Sequence, residues 1–130
     1  MNTLSEVLTI KGESLADVSS ASTGVNFLDA KSARRFVAQA ESAANIAANS
    51  NLSIKLVQAK DAAGTDAKDL SEAVVLVADV AKKLTVQADA LSGELDIDGG
   101  FTHVGFTVET DGSAVAANAV IISSNNRYSL

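Results

Sequence analysis

From Leu52 onward, apolar and polar residues alternate with a period of two, the spacing of a strand with one face buried. In NLSIKLVQA, Leu52, Ile54 and Leu56 point one way and Ser53 and Lys55 the other. KKLTVQADAL repeats the pattern, with Leu84, Val86 and Ala88 inward and Thr85, Gln87 and Asp89 outward. FTHVGFTVET places Val104, Phe106 and Val108 inward and His103, Thr107 and Glu109 outward. A helix cannot satisfy this period, so the segment must pair as strands. Val74 to Val77 is an unbroken apolar run and is expected as a buried strand. A polar loop surrounds Gly64. Asp111-Gly112 has the residues of a hairpin turn, with AVAANAVIISS as the return strand. Short strands separated by turn signals predict a mainly β fold, an antiparallel β-sandwich or barrel-like domain.

The first part of the chain is less regular. Met1 to Asp29 carries Leu4, Val7, Leu8 and Ile10, then a Ser/Ala-rich run ending at Gly24. Residues 1–30 read as an extended N-terminal arm that packs only partly on a β-rich domain of residues 31–130. An ordinary first strand and loop is the alternative. Lys31 to Asn51 supports two structures. Phe36, Ala40, Ala43, Ala44 and Ala47 recur at helical spacing, and alanine favours helix. ARRFVAQAES also alternates, and a strand over Arg34 to Ala40 is the reading that suits the alternating segments from Leu52 on. A short helix fits here, as a short helix or strand fits the apolar residues Leu4 to Ile10.

Composition narrows the function. The 130 residues suffice for one domain, and 47 % are apolar, yet these are mostly small. With four Phe, one Tyr and no Trp, each side chain buries little area, so stability leans on extended pairing or on partners. A formal charge of −6 disfavours nucleic acid and anionic membranes as partners. Arg34-Arg35 and Lys82-Lys83 are the only clustered cations, without aromatic residues arranged for base stacking. The absence of cysteine removes disulfide and thiol chemistry. Met1 to Ile10 lacks the basic start and long apolar run of a signal peptide, and no segment reaches the apolar length of a membrane span.

The most legible candidate site is ELDIDGGFTHVGFTVETDG, Glu94 to Gly112. A calcium loop counted from Asp96 puts Asp98 at its third position. Gly100, Phe101 and Thr107 then stand where an oxygen ligand, glycine and glutamate are needed. Asp96 to Gly100 therefore reads as a turn, with Gly99-Gly100 supplying positive φ and the aspartates capping their own backbone. His103 is the only histidine, too few for a zinc site without cysteine. No Gly-x-Ser-x-Gly elbow, dinucleotide fingerprint or Walker loop is present. The sequence assigns no catalytic, metal or cofactor residues; His103 is expected on the polar side of its strand, at solvent or an interface.

Leu84 to Leu130 contains an Asp-Ala-Leu turn (Asp89 to Leu91), a Gly-Gly-Phe-Thr-His-Val run (Gly99 to Val104), an alternating strand, an Ala/Ile-rich strand and a terminal Arg127-Tyr128. SIKLVQAKDAAGTDAKDL, Ser53 to Leu70, adds a strand followed by a glycine-containing loop. On these residues, about the C-terminal two thirds of the chain, the sequence resembles the small head decoration, cement or minor capsid proteins of tailed phages. The resemblance implies a non-enzymatic β-rich virion subunit, commonly a trimer or other multimer. Its partners would be copies of itself and the major capsid protein. It would assemble in the host cytoplasm and reside on the capsid exterior, where it would stabilise the lattice. Leu4, Val7, Leu8 and Ile10 in the arm, with Arg127 and Tyr128, are the expected interface residues. Three other readings stand beside this one: a phage neck, tail or fibre subunit, a small ligand-binding β-sandwich, and an enzyme using His103.

Overall fold

The computed structural model describes residues 3–15, 18, 22–23, 27–30, 33–112 and 115–129, with the backbone alone for 3–9, 22–23 and 125–129. The chain is nearly all strand. In order these are β1 (Thr3–Leu15), β2 (Ser22–Thr23), β3 (Leu28–Asp29), β4 (Arg35–Ser42) and β5 (Asn51–Ala59). They are followed by β6 (Lys68–Asp69), β7 (Val74–Val77), β8 (Thr85–Leu91), β9 (His103–Thr110) and β10 (Ala117–Ser129). A 3-10 turn at Ser92–Glu94 is the only helical piece among the described residues. Within the stretch Lys31 to Asn51 the described residues form strand β4, not a helix, with Phe36, Ala38, Ala40 and Ser42 buried on one side and a turn leading from it to β5.

Two antiparallel sheets form a sandwich. One has the order β1-β10-β4-β8; the other has β2-β9-β5-β6, with β3 also on β9 and β7 also on β5. Their inner faces are matched by size. The first sheet contributes mostly alanine: Ala38 and Ala40 from β4, Ala88 and Ala90 from β8, Ala117 and Ala119 from β10, with Phe36, Val86 and Ile121 filling the remainder. The second contributes the larger residues, Leu52, Ile54 and Leu56 from β5 and Val104, Phe106 and Val108 from β9. Small side chains on one sheet face large ones on the other, the pairing that lets two inner faces interdigitate. The inward sets read from the alternation in β5, β8 and β9 are therefore the ones observed.

The outer face of the second sheet is covered too. Phe27 lies against Gly105 and Gly64, so closely that a Cβ on either glycine would come within 2.7–2.8 Å of its ring. On the same side Val57 and Thr107 are buried, so Thr107, expected outward, is enclosed by local cover.

Two expectations are corrected. Asp111-Gly112 does not close a hairpin. β9 pairs with β5, β2 and β3, whereas β10 pairs with β1 and β4, so the chain crosses there from one sheet to the other. Asp111 caps the start of β5 instead, its carboxylate accepting the Asn51 backbone N–H at 2.7 Å and Nδ2 at 3.1 Å. Val18 laces the crossing, accepting the Thr110 N–H at 2.8 Å and donating to the Val115 carbonyl at 3.1 Å. Val74 to Val77 is also not buried. All four side chains are exposed, because β7 is an edge strand with β5 on one side and no strand on the other among the described residues.

Candidate functional site

Three places on this scaffold concentrate chemistry or unmatched surface: the loop around Asp96 with the adjoining His103 cleft, the paired chain termini, and the β7 edge.

The Asp96 loop is a turn held by its own aspartate. The Asp96 carboxylate accepts the Gly99 N–H at 3.0 Å and the Lys68 ammonium at 2.6 Å. Gly100 alone of the glycine pair takes positive φ, at 87°; Gly99 is required for space, since a Cβ there would collide with the Asp96 carboxylate. The loop is tied to β5 and β6 through Gln58, which accepts the Asp96 N–H at 2.8 Å and donates to the Asp69 carbonyl at 3.1 Å. Lys68 first, and the Gly99 N–H next, hold the Asp96 carboxyl below its ordinary pKa. Phe101 beneath the loop is buried, with the Lys68 ammonium 4.2 Å and the Lys60 ammonium 5.6 Å from its ring centre. Lys60 is itself paired to Asp66 at 3.2 Å. Among the described residues, no three His, Cys, Asp or Glu side chains converge as a metal site.

His103 lines an open cleft of about 400 Å³ with Asp29, Ala30, Ile97 and Thr102. It is half-buried, and its backbone pairs with Asp29 across β3 and β9. Thr102 Oγ1 donates to the Lys60 carbonyl at 3.2 Å and lies 2.9 Å from His103 Nδ1. Asp61 is lowered in pKa mainly by the Thr65 hydroxyl and backbone N–H, with a smaller contribution from His103.

The residues expected as contacts fall at the two ends of the chain, and the fold brings those ends together. β1 and β10 pair over their whole length, with Leu4 opposite Tyr128, Ser5 opposite Arg127, Val7 opposite Asn125 and Leu8 opposite Ser124. β4 joins β10 only from Ala117 to Ser124. Residues 3–7 and 125–129 thus form a two-stranded ribbon beyond the third strand of the sheet. Ile10, opposite Ile122, is 58 % exposed. The side chains of Leu4, Val7, Leu8, Arg127 and Tyr128, together with Met1, Asn2, Leu130 and most of the Ser/Ala-rich run, lie outside the described residues.

The β7 edge is the surface that the alternation pattern missed. Its run of aliphatic residues gave the signal, and only the strand order shows that no described strand covers it.

No protein-family model and no curated protein matches the sequence. Solved structures do. The PRD1 vertex protein P5 matches with a TM-score of 0.50 and 11 % identity over 93 % of this chain and 73 % of that one, a likeness of fold. A protein of Bacillus endospore appendages, described as disulfide-linked pili, matches at 0.47 and 10 % identity over 96 % of this chain and 89 % of that one. The SPBc2 prophage-derived protein YomS matches at 0.45 and 12 % identity over 90 % and 96 %.

Proposed function

We propose that this chain is a non-enzymatic virion structural protein that docks in many copies on the outside of a phage head and stabilises the lattice of the major capsid protein. The observation that carries this reading is the sandwich fold held in common with a protein named as a vertex protein, extending over 93 % of this chain. The phage resemblance of Leu84 to Leu130 supports it from the sequence side, since that stretch comprises β8, β9 and β10 of the sandwich. A net charge of −6 suits a surface turned away from packaged DNA.

In this reading the paired ends of the chain, β1 with the end of β10, are the gripping element. Leu4, Val7, Leu8 and Ile10 supply apolar area, Arg127 a fork for a carboxylate, and Tyr128 a flat amphipathic ring. On the head, copies gather next to one another, as a trimer in the simplest case, and grip it at several points. Each contact is weak alone; several held at fixed spacing add avidity without any new contact. The protein would be made in the host cytoplasm and carried on the capsid exterior.

Heads lacking the protein, mixed with purified chain and heated, test the proposal. Bound chain should raise the temperature at which heads rupture, and Arg127→Ala with Tyr128→Ala should remove most of that gain. Point variants are preferable to removal of the first 25 residues, because β1 is the only neighbour of β10 on that side. An unchanged rupture temperature at saturating chain would refute the proposal.

A further inference from the structure

Val74–Val77 has the composition of a strand buried on both faces, with no polar alternation. In the single chain its side chains are 39–60 % exposed, and Val80 is 60 % exposed as well. Five of the eight exposed large apolar residues among those described therefore lie within residues 74–80. β7 pairs with β5 alone, so its outer N–H and C=O groups face no strand among the described residues. Natural edges of this kind are blunted by a charge, a proline or a bulge. β7 has neither charge nor proline.

We propose that a second copy of this chain covers the edge, the two β7 strands pairing antiparallel across a two-fold axis. The flanks favour this direction. Glu72 precedes the strand, and Lys82 and Lys83 come after it. Asp79, the acid on the C-terminal side, is already held by Lys82 at 2.7 Å. Glu72 and Lys83 are exposed and make no ion pair among the described residues. Antiparallel pairing carries the acidic flank of each copy toward the basic flank of its mate; parallel pairing sets like against like. The contact uses the same patch on both copies, so it closes at two and does not grow into a fibre.

Size sets its strength. Five side chains of this kind at these exposures present on the order of 400 Å² of apolar surface. Two copies then bury on the order of 800 Å², below the ~1,200 Å² at which stable complexes begin. Such a contact is weak between free chains and is consolidated when both are held near each other. The inference goes beyond the virion reading: pairing depends on this edge and not on what else the chain binds.

Sedimentation equilibrium of the purified chain, from micromolar to millimolar concentration, tests it. The wild type should show a reversible monomer–dimer equilibrium. Val77→Lys, at an exposed position, should weaken it at least tenfold while leaving the circular dichroism unchanged. Glu72→Lys and Lys83→Glu should each weaken it several-fold, and the two together should restore it, which a folding defect would not do. A chain monomeric to millimolar concentration overturns the inference, as does any oligomer that Val77→Lys and both charge reversals leave intact. A monomer whose binding to phage heads is lost in Val77→Lys overturns it too, and makes a foreign chain the occupant.

Discussion

Phe27 shows how single residues hold this sandwich. Its ring is wedged between a loop glycine, Gly64, and a strand glycine, Gly105. Gly105→Ala would place a Cβ 2.7 Å from the ring, and the strand backbone cannot retreat. The expected cost is ~1–3 kcal/mol, as for other overpacked sites. It should appear as a lower urea midpoint at unchanged slope. Phe27→Leu in the same chain should recover part of it, giving a coupling that distant sites lack. Gly64→Ala should cost more, because Gly64 also sits at a φ of 84° that alanine adopts poorly. At Asp96 the prediction concerns charge. Its folded pKa lies below the reference value of 3.8, chiefly through Lys68. A depressed carboxyl contributes its stability above its unfolded pKa and loses it as pH falls through the folded one. A carboxyl-detected titration should find Asp96 with a midpoint under 3.8, and Lys68→Ala should move that midpoint up. The turn around Asp96 was readable from Asp-Ile-Asp-Gly-Gly because Asx capping is local. The pairing with Lys68 was not, since it depends on where β6 runs.

Among the elements, the division of labour between sheets governs packing. β4, β8 and β10 offer alanines to the leucines, isoleucine, valines and phenylalanine of β5 and β9. Ala38 stands opposite Ala88 in the β4–β8 register, and both are buried. Ala38→Leu should therefore destabilise by ~1–3 kcal/mol through forced repacking. Phe36→Ala, at a fully buried site, should cost ~3–5 kcal/mol through the cavity left behind. Chemical denaturation of both variants checks the pair. Period-two alternation made β5, β8 and β9 legible, inward sets included, because strand geometry writes itself into every second residue. β4 was harder, since its inner alanines suit a helix equally well and only their facing partners on β5 decide. The two corrected expectations share one cause. Asp111-Gly112 specifies a local bend and not which sheet receives the next strand. Val74 to Val77 specifies apolar surface and not what covers it.

On the scale of the whole molecule, the chain's two ends meet. Leu4 and Tyr128, read separately as contact residues, are neighbours in the β1–β10 register. No local pattern could reveal that, because it results from closing the sheet. The molecule has a terminal ribbon at one place and, at another, an apolar edge that no described strand covers; in the proposed function both act through contact with other chains. The most direct test is the number and position of copies on purified phage heads, counted by quantitative mass analysis and located by electron cryomicroscopy. The account predicts a high copy number arranged with the symmetry of the shell on the outer surface, on empty heads as well as full ones. Heads bare of the chain, or a few copies confined to the neck, would contradict it.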